Sequence, residues 1–254
     1  MAERDGLQPL AELCKTDIRN THCVQIDRKT GEWRRITLED HYAEIEHYSL
    51  NDDVAENVAI QYDVARNLYL YAWFEYRFFN IAEAHALNSL ELGMKERIGD
   101  KEIKRYIKQR NSEYKAKTGK RGGIRIGMKT LMEYCRDQQL VRNEGFSQWH
   151  RHASSLAYDQ ARDEQTLWAI AEMQRTGSTE IETPDIEFKQ LPPDPNYNHI
   201  QHLIIHTNKT RNNYNHGSTT LHNHVLGTFE MVSEFINQIY SSSERPVATR
   251  NNKD

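Results

Sequence analysis

The chain has 254 residues, of which 37% are hydrophobic and 28% charged, and its formal net charge is −4. With 12 glycines and 6 prolines it has fewer turn formers than an all-β protein usually needs, whereas helices suit a heavily charged chain because each helix buries only one stripe. A net negative charge excludes polyanion binding by overall charge, so affinity for nucleic acid must come from local clusters of cations.

Two features bear on the location of the protein. No apolar run approaches the ~20 residues of a transmembrane helix, and residues 1–15 lack the basic-then-apolar pattern of a secretory signal. The cysteines Cys14, Cys23 and Cys135 are unclustered, which is typical of reduced thiols. We therefore expect a cytoplasmic protein without a membrane segment.

Residues 1–53 are polar and weakly periodic, so we expect an irregular N-terminal arm or appendage. The stretches 23–27 (CVQID) and 32–38 (EWRRITL) are predicted to be short extended pieces on either side of a turn at 29–31.

Residues 54–98 give the strongest helix signal. No glycine or proline occurs within 54–92, and apolar residues recur every three or four positions. Within 68–82 almost every face is apolar or aromatic, which predicts a buried central helix. A break in this helix is predicted near Asn80.

Residues 101–129 are strongly basic, with eleven Lys and Arg against only Glu102 and Glu113. They favour either a track for an RNA backbone, with Tyr106 and Tyr114 available for stacking, or a solvated helix face. The stretch 118–123 is predicted to be a flexible loop, and a helix is expected over 126–139. The candidate RNA-binding residues in this region are Lys117, Lys120, Arg121 and Arg125.

Three further elements complete the chain. A helix is predicted over 147–175, and an acidic linker rich in turn formers follows over 176–195. The next helix is predicted to start at Asn196 or Asn198 and to end at His216, where Gly217 can adopt a left-handed cap conformation. The last helix carries one apolar stripe, formed by Leu221, Val225, Phe229, Val232, Ile236 and Ile239.

The segment 211–217 (RNNYNHG) is a polar stretch between the last two predicted helices. On a helix, Asn212 and His216 share a face, and Arg211 and Asn215 form the neighbouring row. The imidazole can take or give a proton near neutral pH, and the guanidinium can hold phosphate oxygens and stabilise a phosphorane. With Asn212 orienting the imidazole, these groups suffice for metal-free cleavage of RNA by its own 2′-hydroxyl, and Asn215 is a candidate RNA contact.

The spacing alone leaves another interpretation open, in which this segment is an ordinary polar helix end. Arg211 would then form a salt bridge and His216 would cap carbonyl groups. Arginine followed by histidine at such a distance is a common pattern, and Arg35 and His41 also satisfy it.

With its flanking helices, the segment resembles the HEPN superfamily (higher eukaryotes and prokaryotes nucleotide-binding). Nuclease members of that family carry Arg-[Asn/Asp/His]-x(3–5)-His in a helical bundle. Arg211, Asn212 and His216 match this motif position by position, and Gly217 stands where the family often has glycine.

The resemblance extends beyond the motif. The stretch 63–91 resembles the first long helix of many bacterial members, and 220–240 resembles the helix that closes such domains. It implies an all-α fold, a HEPN-like helical bundle with a short irregular N-terminal arm and an inserted helical/loop segment. The predicted organisation is an arm at 1–53, a HEPN-like domain at 54–242 with an insert at about 142–195, and a disordered tail at 243–254.

The resemblance also implies a function. The expected activity is a metal-independent endoribonuclease without a cofactor, which leaves a 2′,3′-cyclic phosphate. The expected partners are RNA, a second copy that completes a composite active site in a homodimer, and an antitoxin or a defence complex. Because the family includes inactive members, the alternative is a non-catalytic binding or scaffold subunit of a defence or toxin–antitoxin complex.

Two other sequence motifs give weaker indications of function. His199, His202 and His206 share one helix face, but their spacing fits neither a zinc finger nor HExxH, so we expect no metal site. Gly122 and Gly127 have P-loop spacing, but the lysine that should follow comes one position late, which argues against an NTPase. A helical module that holds RNA through 101–129 alone is a third functional interpretation.

Overall fold

The computed structural model describes residues 6–26, 31–215 and 221–241, with only the helical backbone described at 208 and 211–215. Within these residues the chain is mostly helical, with eight α-helices and one two-stranded sheet, so the all-α class is confirmed. The elements are β1 (Val24–Ile26), β2 (Trp33–Arg35), α1 (Leu38–Glu46), α2 (Glu56–Tyr71), α3 (Phe78–Ile98), α4 (Asp100–Thr118), α5 (Met128–Asp137), α6 (Ser147–Thr176), α7 (His199–Asn215) and α8 (Leu226–Ser241).

The chain divides into two compact units. The first unit comprises residues 1–141 and 204–254, and the second comprises 142–203, so the boundary falls within α7. None of the described helices combines the length and apolar character needed to cross a bilayer.

The core of the first unit forms where α2, α3 and α8 meet. A Cβ atom at Gly93 of α3 would lie 3.3 Å from Val58 of α2 and 3.6 Å from Ile236 of α8, so glycine permits this close approach. The Tyr62 hydroxyl donates to the carbonyl oxygen of Phe229 at 3.2 Å, which ties α2 to α8. The predicted central helix is therefore a pair of helices, and α3 buries more residues than either α2 or α8.

The apolar stripe predicted for the last helix is buried along its length, except at its start. Phe229, Val232, Ile236 and Ile239 are fully buried on α8, whereas Leu221 precedes the helix and is 36% exposed. The predicted disordered tail falls on residues 243–254, which lie outside the described residues.

The helix break lies at 72–77, and not near Asn80, which is part of α3. Residues of the N-terminal segment satisfy the backbone groups that the break leaves open. Asn20 Nδ2 donates to the carbonyl oxygens of Ala72 at 2.8 Å and Trp73 at 3.1 Å, and an Asp17 carboxylate oxygen accepts from the backbone N–H of Tyr76 at 2.9 Å. Because these partners are far away in sequence, helical periodicity cannot locate the break.

The N-terminal region contains more regular structure than an irregular arm. The two predicted extended pieces form an antiparallel hairpin in which Val24 lies opposite Arg35, and the predicted turn falls largely on 27–30, outside the described residues. Helix α1 follows, with a capping box in which Thr37 accepts from the backbone N–H of Asp40 and the Asp40 carboxylate accepts from that of Thr37.

The second unit is built on α6, whose bounds match the helix predicted over 147–175. The residues between α6 and α7 form no regular element but run along α6. Trp149 Nε1 donates to the carbonyl oxygen of Tyr197 at 3.1 Å, the ring of His152 stacks on Tyr197 with centroids 3.6 Å apart, and Ser154 Oγ accepts from the backbone N–H of Leu191 at 2.8 Å. The predicted linker is therefore an ordered part of this unit.

Candidate RNA-contact surface and motif

The motif lies at the end of α7. Residues 211–215 form the last described turn of this helix, with their side chains outside the description, and His216 and Gly217 lie outside the described residues altogether. Arg211, Asn212 and the candidate RNA contact Asn215 are thus placed by their backbone alone. The helix was predicted to start at Asn196 or Asn198; it starts at His199.

Helical periodicity gives position 211 a definite place on α7. Ile204 is fully buried and Thr207 is 5% exposed, whereas Ile205 between them is 55% exposed. Position 211 follows Thr207 by four residues and Ile204 by seven, so on the helical backbone it falls on the same face as these two residues.

The chain that follows the motif is anchored on α3. Glu83, in the second turn of α3, is only 4% exposed. It accepts from the Thr228 hydroxyl at 2.5 Å, and His222 Nε2 lies 3.6 Å from its other oxygen. Sequence reasoning missed Glu83. The signal was a carboxylate in the apolar stretch 78–87, where an unpaired charge would be costly.

The cations of the basic segment lie on α4, on the loop after it and, for Lys129, at the start of α5. Three of the eleven pair with carboxylates: Arg105 with Glu102, Arg110 with Glu113 at 3.9 Å and Glu133 at 3.7 Å, and Lys129 with Glu133 at 4.0 Å. The other eight are exposed and have no ion pair within the described residues; we call them the basic face, and they are Lys101, Lys104, Lys108, Lys115, Lys117, Lys120, Arg121 and Arg125. Uncompensated cations on a helix and its adjoining loop produce a local positive potential suited to a phosphate backbone.

The loop that carries part of the basic face is held against α4. Asn111 Oδ1 accepts from the backbone N–H of Ile124 at 3.0 Å, and its Nδ2 donates to the Ile124 carbonyl at 3.3 Å. A Cβ atom at Gly122 would lie 3.1 Å from Asn111 Cα, so glycine is needed for this approach. Gly119 ends α4 in the left-handed conformation with φ of 68°. A side chain of the preceding helix thus ties the backbone at Ile124, just after the stretch 118–123, to α4.

Tyr106 is not a stacking platform, which corrects one expectation. It is 7% exposed, its hydroxyl donates to Asp137 at 2.6 Å, and its ring packs edge-on against Tyr134 with centroids 5.2 Å apart. Burial, together with this hydrogen bond to Asp137, raises the pKa of Tyr106 above its ordinary value. Tyr114, at 44% exposure, is open to solvent and available to a base.

The histidines of α7 divide between the two units. In the second unit, His199 is buried, lies 3.2 Å from the Tyr197 hydroxyl and packs against Phe146, and His202 meets the edge of Tyr197. His206 belongs to the first unit and is exposed. Across the described parts of the chain, no three or more His, Cys, Asp or Glu side chains are grouped so as to hold a metal ion.

Comparisons of the chain with protein-family models, with curated proteins and with solved structures found no match. Functional inference therefore depends on the residues themselves.

Proposed function

We propose that the chain is a metal-independent endoribonuclease of the HEPN type, with Arg211, Asn212 and His216 in its active site. The observation that carries the proposal is the place of the motif. Position 211 falls on the same face of the α7 backbone as the buried Ile204 and Thr207, and the motif precedes a segment anchored on the buried carboxylate of Glu83. This placement favours a positioned polar site over a frayed helix end. The proposed biological role is that of a toxin or an antiviral-defence effector, with an antitoxin or defence complex as a possible partner.

The proposed reaction needs only groups that the chain supplies. One His216 removes the proton of the RNA 2′-hydroxyl, and its oxygen attacks the adjacent phosphorus. The bond from phosphorus to the 5′-oxygen breaks, and that oxygen takes a proton from a second imidazole. The products are a 2′,3′-cyclic phosphate and a 5′-hydroxyl. Arg211 stabilises the charge on the phosphorane, and Asn212 orients the imidazole.

The two proton steps explain why a homodimer is part of the proposal. Each chain has one His216 in the motif, whereas the reaction needs a base and an acid on opposite sides of the phosphate. A two-fold axis through a composite site brings two copies of the same motif together. The basic face would then hold the RNA backbone in the first unit, where the motif also lies.

The test is cleavage of single-stranded RNA by Arg211→Ala and His216→Ala variants. Each should lose at least about 100-fold in rate, since loss of a proton-transfer group or of a group that stabilises transition-state charge costs about that much, while circular dichroism shows an unchanged helical fold. Arg35→Ala is the matched control, because Arg35 and His41 repeat the spacing of the motif by chance and Arg35 is exposed. Its rate should equal that of the wild type.

Two results would overturn the proposal. One is cleavage that persists in both motif variants. The other is cleavage that disappears when a chelator removes divalent metal ions.

A second candidate function is a non-catalytic, HEPN-like scaffold subunit of a defence or toxin–antitoxin complex. It is favoured by large apolar side chains that are exposed on α6: Leu156, Leu167, Trp168 and Ile170, at 46–68% exposure. Exposed apolar side chains of this size are typical of a protein–protein contact. This alternative predicts a stable complex with a second protein and no cleavage of any RNA.

A further inference from the structure

A cavity of about 310 Å³ lies in the first unit. Its walls come from the N-terminal segment, from α1 to α3, and from the residues that lead into α8. Its volume is at the low end of the ~300–1,000 Å³ range of small-ligand sites, which suits a single ring system with a small substituent.

One wall of the cavity is aromatic. The rings of His41 and Tyr69 are stacked with centroids 4.2 Å apart, and Phe79 meets Tyr69 edge-on at 5.4 Å. Trp73 packs against His41 with centroids 5.5 Å apart. These four side chains pack against one another and each is at most 9% exposed, so the wall that they form favours a flat ligand that meets ring edges.

The polar groups near this wall are mainly acceptors. Glu44 accepts from the Tyr69 hydroxyl through Oε2 at 3.1 Å, and its Oε1 has no hydrogen-bond partner among the described residues. His41 Nε2 lies 2.8 Å from the carbonyl oxygen of Tyr69, which can only accept, so this nitrogen carries the proton. Burial lowers the pKa of His41, and the neutral ring therefore keeps Nδ1 as an acceptor.

The lining also includes the amide of Asn223, which can donate, and the thiol of Cys23. Asn223 Nδ2 is 3.8 Å from Cys23 Sγ, a weak contact that leaves the amide able to turn to a ligand. Burial, and then the nearby Glu44 carboxylate, raise the pKa of the Cys23 thiol, so this cysteine stays protonated at neutral pH. The site is suited to binding and not to covalent chemistry.

We propose that this cavity binds a guanine base. Guanine presents two adjacent donors, N1–H and the 2-amino group, which match the Glu44 carboxylate, and its O6 and N7 can accept from the Asn223 amide. Adenine offers an amino group beside an unprotonated nitrogen, whose lone pair would face the carboxylate. The aromatic wall holds the ring. The base comes either from a free guanine nucleoside or nucleotide or from an RNA chain, and binding does not depend on the proposed nuclease activity.

Calorimetric titration of the full chain with guanosine, inosine and adenosine tests the proposal. Inosine keeps N1–H but lacks the 2-amino group, so affinity should fall in the order guanosine, inosine, adenosine. Glu44→Gln should weaken guanosine binding by about tenfold or more, because the amide presents a donor to the donors of guanine. The variant keeps an oxygen for the Tyr69 hydroxyl and should fold normally. Glu39→Gln, on the same helix but exposed and outside the cavity, should bind guanosine like the wild type.

The source of the base is settled by a second titration, with a short single-stranded RNA that carries one guanine and with the same RNA carrying adenine there. The His216→Ala variant is used so that the RNA stays intact. Glu44-dependent binding of guanosine alone indicates a free ligand, and Glu44-dependent binding of the guanine-containing RNA alone indicates an RNA base; either supports the cavity.

Equal affinity for the three nucleosides would overturn the proposal, as would guanosine binding that Glu44→Gln leaves unchanged. The proposal would also be overturned if neither guanosine nor the RNA showed binding that depends on Glu44. Arg211→Ala should leave guanosine binding intact, so failure of the nuclease proposal and failure of this one are separate results.

Discussion

Asp17 is a buried carboxylate that holds the N-terminal segment against the bundle. It is 8% exposed, and it accepts from Arg19 Nε at 2.9 Å and from the backbone N–H of Tyr76 at 2.9 Å. Burial by itself would raise the pKa of Asp17, but the hydrogen bonds from Arg19 and Tyr76 outweigh it and lower the pKa below the ordinary 3.8. Asp17 thus stabilises the fold in its charged form.

We expect Asp17→Asn to lower the free energy of unfolding by about 1–3 kcal/mol near pH 7, since charged partners are left poorly satisfied. The pKa of Asp17 is depressed in the folded chain, so its contribution is present above the unfolded value near 3.8 and is lost as pH falls through the folded value. The difference between wild type and variant should therefore shrink below about pH 4. Urea unfolding at a series of pH values measures both quantities.

Asp53→Asn is the control for this experiment, because Asp53 is exposed. Its stability should match that of the wild type across the series. A difference for Asp17→Asn that stays constant down to pH 3 would contradict the assignment of a charged, hydrogen-bonded carboxylate.

At the scale of elements, α4 and the loop after it present fixed positive charge. Because Asn111 positions the loop, Lys120 and Arg121 lie beside the last turn of α4 before any ligand binds. Charges held in place before binding lose less conformational entropy when RNA arrives. This arrangement favours the RNA-track interpretation over that of a merely solvated face.

Replacement of Lys117, Lys120 and Arg121 by alanine should weaken binding of single-stranded RNA. Each phosphate contact contributes about 0.7 to the slope of the logarithm of affinity against the logarithm of salt concentration. Loss of three contacts should therefore reduce the magnitude of that slope by about 2. Fluorescence anisotropy at several salt concentrations measures it, with His216→Ala as the background so that no RNA is cleaved.

The matched control removes three cations from the second unit, Arg162, Arg175 and Lys189, by the same change to alanine. Its slope should equal that of the parent. If the two triple variants behave alike, the basic face has no special role in RNA binding.

Sequence periodicity predicted the elements whose own residues determine them. The spacing of apolar side chains located α6 and most of α8, and the clustering of cations on α4 was visible at once. Sequence periodicity could not locate features that depend on residues far away in the chain. The break at 72–77 requires Asn20, the fixed loop requires Asn111, and nothing in the spacing around Tyr106 indicates that Asp137 binds its hydroxyl.

The candidate site also combines features set by neighbouring residues with features that depend on distant partners. The motif could be proposed from sequence because its residues are close neighbours along the chain. Glu83 could not be assigned to it, since its contacts with His222 and Thr228 cross more than a hundred residues of chain. The cavity was missed for the same reason, because its walls come from segments that are distant in sequence.

At the scale of the whole molecule, the proposed composite site makes activity a property of a pair of chains. A fourfold excess of the His216→Ala variant over wild type, after subunit exchange, should leave only about one fifth of the wild-type chains with a wild-type partner. Activity per wild-type chain should fall to about that level, because mixed pairs hold a single motif imidazole. Cleavage of a fluorogenic RNA measures it.

The comparison for this experiment is the same excess of Arg35→Ala, which should leave activity per chain unchanged. If the His216→Ala variant does not inhibit, each chain holds a complete site by itself, and the two-fold arrangement is wrong.

The contacts of Asp17 and Asn20 with the helix break also bear on how the protein can be shortened. From the sequence alone, a shortened protein would be designed to begin at residue 54, where the strong helix signal begins. Such a truncation would remove no residue of α2 or α3, yet it would strip the caps from the carbonyl groups of Ala72 and Trp73. During synthesis, residues 17–20 leave the ribosome before α2 does. The contacts of residues 17–20 with the helix break can thus form only after α2 has been made, although these residues are synthesised before it.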